Sequence, residues 1–254
     1  MGKRVVITAG AAGIGRAIAE KFLSDGDDVA ICDADPDAVA EFSSAHPEAI
    51  AVVSDVTSEP DMDDFLGQVE TLWGGVDVVC ANAGTGGPTG GIETLDYEDW
   101  KLCVATNVHG SFLTCRWAAG LMRKQGSGLI VMTSSTAGIM GYPLRSPYAA
   151  AKWAVVGMTK TLAMELGPAG VRVNAICPGA VEGPRMDRIV ANEAKARGLP
   201  EEEVRASYVT GVSMKTWVKG EDIANTIHFL ASDSGSKISG QVLSVDGHTE
   251  TLAP

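Results

Sequence analysis

Short apolar runs alternate with segments of helical periodicity along most of the chain. Arg4 to Thr8 (RVVIT) has strand character, and Gly13 to Leu23 sets Ile14, Ile18 and Phe22 at the spacing of one helix face. The same alternation predicts strands at 27–33, 49–55, 76–84, 128–135, 171–179 and 241–247, and helices at 60–72, 97–124 and 148–166. Strands apolar on both faces belong inside a sheet that is covered on both sides. Strands separated by helices pair in parallel. Right-handed crossovers then give an α/β fold, a doubly wound Rossmann-type sheet of about seven strands with helices on both faces. No repeat, low-complexity tract or linker interrupts the rhythm, so residues 1–254 are expected to form a single domain. The one long excursion, 183–213, carries two short helical patterns before the last strand, which suits a substrate lid.

Composition sets limits on partners. Of 254 residues 45% are hydrophobic and 20% charged, as in ordinary globular proteins. A net charge of -12 repels polyanions, so nucleic acid and acidic membrane surfaces are not expected partners and a small-molecule substrate is. No run approaches the ~18 apolar residues of a membrane span. The run after Lys3-Arg4 is short and broken by glycine, unlike a signal peptide. The five cysteines, at 32, 80, 103, 115 and 177, form no CxxC pair. They read as reduced, packed thiols of a cytoplasmic protein, with a catalytic cysteine the lesser alternative. His46, His109, His228 and His248 are not spaced as metal ligands, and no metal is expected.

Chemistry enters at two places. TAGAAGIG, Thr8 to Gly15, joins the first strand to the first helix. Gly10, Gly13 and Gly15 permit a tight turn and close backbone approach to a pyrophosphate at the helix N-terminus. Asp33 ends the second strand, 18 residues after Gly15. A carboxylate there accepts the ribose hydroxyls of NAD and repels the 2′-phosphate of NADP, so NAD is the expected cofactor. Arg16 is the basic residue nearest the turn. Asp35 competes for the ribose, but it precedes Pro36 and suits the start of the next helix. The second place is SPYAAAKWAVVG, where Tyr148 and Lys152 lie one helical turn apart on one face. That spacing arises often by chance, and it gains meaning only from a site built around it.

With the glycine turn, Asn82-Ala83-Gly84 and the Tyr148/Lys152 pair in hand, the chain resembles the classical short-chain dehydrogenases/reductases over essentially its whole length. The resemblance implies a catalytic tetrad of Asn107, Ser135, Tyr148 and Lys152, with Ser135 thirteen residues before Tyr148 and Ser134 its alternative. It implies cofactor contacts from Gly10, Gly13, Ile14, Gly15, Asp33, Asp55, Val56, Asn82, Ala83, Gly84, Tyr148, Lys152, Pro178, Gly179 and Val181. It also implies a homotetramer or homodimer, often formed through the helices that here cover 97–124 and 148–166. Three positions depart from the family pattern. Ala9 stands where a glycine is usual, and alanine fits only with an ordinary backbone angle. Gly183 replaces a threonine that would meet the nicotinamide amide. His248 replaces a second glycine after VDG.

The implied reaction interconverts a secondary alcohol and a ketone by hydride transfer. Tyr148 is the candidate base in oxidation and acid in reduction. A free phenol titrates near ~10, so it needs help from the Lys152 ammonium and the positive nicotinamide ring. Ser135 would bond the substrate oxygen, and Asn107 would hold a water linking Lys152 to solvent. Pocket candidates are Thr85 to Pro88, Ile139 to Arg145 and the lid from Glu182 onward. Arg145, Arg185 and Arg188 suit an anionic substrate or are surface charges. Met140, Tyr142, Met186 and Trp153 suit an apolar wall or core. Two alternatives stand beside this reading: an NADPH-preferring carbonyl reductase, and a non-catalytic dinucleotide-binding protein.

Overall fold

The computed structural model describes residues 2–252. Seven strands form one parallel sheet: β1 (Arg4–Thr8), β2 (Asp28–Asp33), β3 (Ile50–Val53), β4 (Val78–Ala81), β5 (Gly128–Thr133), β6 (Val171–Pro178) and β7 (Val242–Val245). Their order across the sheet is β3-β2-β1-β4-β5-β6-β7, so the winding reverses between β1 and β4. A crevice opens at such a reversal, beyond the carboxyl ends of the strands.

Alternation along each strand explains why the strands are apolar throughout. Val6, Val79, Ile130 and Val173 point to one face. There they meet helices α3 (Glu59–Trp73), α5 (Gly110–Gln125) and α6 (Ser146–Leu166) through Phe65, Ala118 and Val155. Val5, Ile7, Ile31, Cys80 and Val131 point to the other face. They meet α1 (Gly13–Ser24) and α2 (Pro36–Ala45) through Phe22 and Phe42, and the later helix 220–231 through Ile227 and Leu230. A parallel strand with helices on both sides has no solvent face, so neither side can be polar.

The 97–124 helix is interrupted. Helix α4 (Tyr97–Val104) ends in one π-helical turn, Ala105–His109, before α5 begins. The turn leaves the Cys103 carbonyl to a side chain: Asn107 Nδ2 donates to it at 2.8 Å, and also to Thr85 O at 3.0 Å. Such turns insert one extra residue and re-aim what they carry. Apolar periodicity does not register an insertion of this kind.

The excursion at 183–213 is mostly helical: α7 (Pro184–Arg197) and α8 (Glu201–Thr210) close on a small core of Val190, Ala194 and Val204. Helix α9 (Gly220–Ala231) then returns to the sheet. Among the described residues no helix is long and apolar enough to cross a membrane.

Ala9 does not take the ordinary angle that its side chain demands. Its φ is 51°, in the left-handed region. An L-residue pays about 1–2 kcal/mol there, and glycine is free of that strain but loses more chain entropy on folding. Ala9→Gly is therefore expected to stabilise the protein by roughly 0.5–1 kcal/mol, seen as a melting temperature about 2 °C higher. An unchanged or lower midpoint contradicts this account of the turn.

Candidate active site

The predicted residues lie at the carboxyl ends of the strands or in the loops that follow, on α1 and α6, and in the π turn before α5. Three buried groups tie β1, β4 and β5 together at this end. Thr8 Oγ1 accepts from the amides of Asn82 and Ala83, each at 3.0 Å. Asn82 Nδ2 donates to Thr8 O and Ala9 O, and its Oδ1 accepts from Thr133 Oγ1 at 3.1 Å. Thr8 and Thr133 escaped the sequence reading. Their one signal is a hydroxyl closing an apolar strand, where a buried hydroxyl needs a partner.

The glycine turn is tight for identifiable reasons. A β-carbon on Gly10 would come within 2.5 Å of Ile31, and one on Gly15 within 1.9 Å of Ala9 O. Gly13 has φ 54° and open space beside it. No side chain caps the start of α1, so its first amides stay available. Ile14, partly buried, packs on the core beside them.

Asp33 stands at the end of β2, half-buried. Its two oxygens accept from Ala11 N and Asp35 N, both at 3.2 Å, which hold the carboxylate in place. Asp35 is the N-cap of α2, accepting from the amides of Asp37 and Ala38. Arg16 is ion-paired with Glu20 at 2.8 Å and Glu41 at 2.7 Å. At the end of β3, Asp55 is exposed and accepts from the Thr57 amide and hydroxyl, while Val56 is buried against Gly110. Pro178 closes β6, Gly179 lies too close to Asp246 to carry a side chain, and Val181 bridges to Val218.

Tyr148 and Lys152 lie on the first turns of α6, with Lys152 Nζ 5.7 Å from the centre of the Tyr148 ring. Lys152 is buried and donates to Thr133 O at 2.8 Å. Burial pushes its amine down to about 7, and the charge of Arg185 adds to this. Asn107 is fully buried and its Oδ1 has no partner. A β-carbon on Gly84 would lie 2.6 Å from Asn107 Oδ1 and 3.1 Å from Lys152 Nζ, so both atoms converge on a stretch of backbone that has to be bare. Ser134 is buried and donates to Lys152 O at 2.9 Å. Ser135 is less buried and accepts from Ala137 N at 3.2 Å, which leaves its hydroxyl hydrogen uncommitted.

Among the other pocket candidates, Arg145 is buried 5.6 Å from the Tyr148 ring, whereas Arg185 and Arg188 are exposed on α7. Tyr142 Oη meets Tyr208 Oη at 3.1 Å, and Tyr208 donates to Glu193 at 2.6 Å, latching α7 and α8 onto the 139–145 loop. Met186 packs in the core of the excursion. Trp153 is half exposed, outside the core, and its Nε1 donates to Met140 O at 3.4 Å. All five cysteines are free and buried, and burial pushes the thiols of Cys32, Cys80 and Cys115 up to about 12, which leaves them inert.

A family model described as enoyl-(acyl carrier protein) reductase matches residues 9–248. The chain is 34% identical to a D-beta-hydroxybutyrate dehydrogenase of Rhizobium meliloti (strain 1021), over 97% of this chain and 98% of that protein. It belongs to the short-chain dehydrogenase/reductase family. Membership of the short-chain dehydrogenases/reductases makes it an oxidoreductase that interconverts a secondary alcohol and a ketone with a nicotinamide cofactor. Two solved short-chain dehydrogenase/reductase structures share the fold closely. NAD+-bound xylitol dehydrogenase has a TM-score of 0.92 at 28% identity, over 96% of this chain and 98% of its own. An actinorhodin polyketide ketoreductase with NADPH has 0.92 at 30%, over 97% and 96%. The cofactor form thus differs among short-chain dehydrogenase/reductase neighbours of nearly equal similarity.

Gly183, where the family resemblance implies a threonine, has φ 135° and ψ 173° at the start of α7. That region is open essentially to glycine alone. A threonine could not simply be restored there.

Proposed function

We propose that the protein is an NAD-preferring dehydrogenase of secondary alcohols in which Tyr148 exchanges the substrate proton. The observation that carries this reading is the convergence of Lys152 Nζ and Asn107 Oδ1 on bare Gly84, one helical turn from Tyr148. When bound, the nicotinamide accepts or supplies the hydride. The backbone of Gly10, Gly13, Ile14 and Gly15 and the uncapped turn of α1 hold its pyrophosphate. Asp33 takes the ribose hydroxyls and Asp55 with Val56 the adenine. Asn82, Ala83, Gly84, Pro178, Gly179 and Val181 line the nicotinamide half.

Tyr148 Oη takes the alcohol proton in oxidation and returns it in reduction. Ser135 donates to the substrate oxygen, which its uncommitted hydrogen permits, whereas Ser134 is spent on the Lys152 carbonyl. Burial brings the Lys152 amine down to about 7, which puts both of its protonation states within reach at neutral pH. Asn107 Oδ1 is the acceptor for a water that passes that proton outward. The same residues argue against a non-catalytic dinucleotide-binding protein, which has no use for a buried lysine of this kind. Exposed Phe112 on α5 and Trp153 and Met164 on α6 support a homodimer or homotetramer through these helices. Five reduced cysteines suit a cytoplasmic protein. The described residues, 2–252, form one domain, with 183–213 as its lid.

Preference for NAD rests on Asp33, and on Arg16 being neutralised by two glutamates rather than free for a 2′-phosphate. An alcohol panel read by NADH absorbance tests the activity, and the same assay with NADP tests the preference. Asp33→Ala is expected to lower the NAD:NADP ratio of kcat/KM by about 100-fold, since it removes both the ribose acceptor and the repulsion. A wild-type enzyme that favours NADP makes the carbonyl-reductase alternative the better one.

A further inference from the structure

Arg145 occupies a position that folding alone does not favour. It is the N-cap residue of α6, where a cation faces the positive end of the helix and where no side chain caps the first amides. Leu144, just before it, is held at φ 62° in the left-handed region. Arg145 itself is only 3% exposed. Of its donors, Nη2 bonds Gly86 O at 2.7 Å, while Nε is buried with no partner. The guanidinium lies 5.5 Å from the Tyr142 ring and 5.6 Å from the Tyr148 ring. A buried arginine is ordinarily matched by a carboxylate.

No such match exists here. Among the described residues Arg145, Lys152 and Arg185 make no ion pair, although the chain has 32 acidic residues and a net charge of -12. Burial pushes the Cys103 thiol up, and the nearby charges of Lys152, Arg145 and Arg185 pull it part of the way back. Glu193 lines the same cavity as Arg145, together with Thr89, Tyr142, Tyr208 and Thr251. Its carboxylate is already held by Tyr208 Oη at 2.6 Å and Arg197 at 2.9 Å. Buried Arg145 thus stands against the Tyr148 ring with no counter-ion from the protein, in a chain that is acidic overall.

We infer that the missing counter-ion is the substrate: Arg145 receives a carboxylate, and the enzyme acts on a short hydroxy acid and its oxo acid. This deepens the hydride-transfer reading above and rests on it for the position of the reacting carbon. A planar guanidinium binds a carboxylate through paired donors, which fixes the substrate in two directions against Tyr148. The incoming negative charge also favours the ammonium form of Lys152.

The test compares lactate, 3-hydroxybutanoate and 3-hydroxyhexanoate, each with its methyl ester, as substrates of the wild type and of Arg145→Gln and Arg145→Lys. At least one acid is expected to exceed its ester in kcat/KM by about 100-fold or more. Arg145→Gln should reduce that acid:ester ratio at least tenfold, chiefly through KM, and Arg145→Lys should restore part of it. A purely structural role would lower acid and ester alike and leave the ratio unchanged. Calorimetric titration of acetoacetate and methyl acetoacetate into the protein with NADH separates failure of this inference from failure of the hydride reading. Acid-selective binding lost in Arg145→Gln supports the carboxylate site even without turnover. Esters that bind and react as well as the acids overturn it.

Discussion

Tyr148→Phe is expected to lower kcat/KM by about 1,000-fold or more, while NADH binds as before and the melting temperature hardly moves. The substitution removes one oxygen. The ring stays, and so do its contacts with Lys152 at 5.7 Å and Arg145 at 5.6 Å. Nothing in the cofactor cradle at the β1–α1 turn depends on the phenol. What is lost is the group that takes the substrate proton; the Ser135 hydroxyl is a far weaker acid than a phenol and cannot take over that exchange. Lys152 Nζ is buried and bonded to Thr133 O, and Ser134 is bonded to the Lys152 carbonyl. Steady-state NADH absorbance and an NADH fluorescence titration measure the two halves of this expectation. A variant that keeps more than about a tenth of wild-type kcat/KM removes Tyr148 from the chemistry.

Gly15→Ala acts on the fold and the cofactor together. Its β-carbon would lie 1.9 Å from Ala9 O, 2.8 Å from Ala9 C and 2.9 Å from Asn82 Nδ2. Two of those atoms are backbone, so no rotamer change relieves the clash. Moving Ala9 disturbs a residue already at φ 51°, and moving Asn82 disturbs the link between β1 and β5. A loss of about 3 kcal/mol or more is expected, seen in urea unfolding, together with loss of NADH binding. Gly13→Ala is the contrast. It meets nothing within 4 Å and bears only the strain of φ 54°, about 1–2 kcal/mol. Equal effects of the two substitutions would mean that close approach at Gly15 is not what the turn requires.

Most of the architecture was legible because it depends on local pattern. Residues 4–8, 128–133 and 171–178 are strands as the apolar runs predict, and parallel pairing follows from the helices between them. The predicted helix at 97–124 shows where pattern fails. The chain is helical on both sides of the π turn at Ala105–His109, so a helix is predicted straight across it and one inserted residue goes unmarked. Its cause is not local, because Asn107 is held by Thr85 O on another segment as well as by Cys103 O. Ala9 fails in the same way. Its angle is set by the close packing of Gly15 and Asn82 around its carbonyl, which no single-residue preference encodes.

For the site, the sequence by itself determined which chemistry-bearing residues exist and in what order. Motif spacing along a parallel α/β chain delivers most of them to the end of a strand or the first two turns of a helix, while Asn107 sits in the π turn between α4 and α5. Only the tertiary structure decided their states. Packing buried Lys152 and lowered its amine to about 7, spent Ser134 on a carbonyl, added Glu41 of α2 to the Glu20 that Arg16 already meets on its own helix, and left Arg145 beside Tyr148 without a carboxylate. The reason is physical. A residue's identity is written in the chain, but its charge and its free hydrogen-bonding capacity depend on desolvation and on partners drawn from distant segments, and those are settled only when the segments pack.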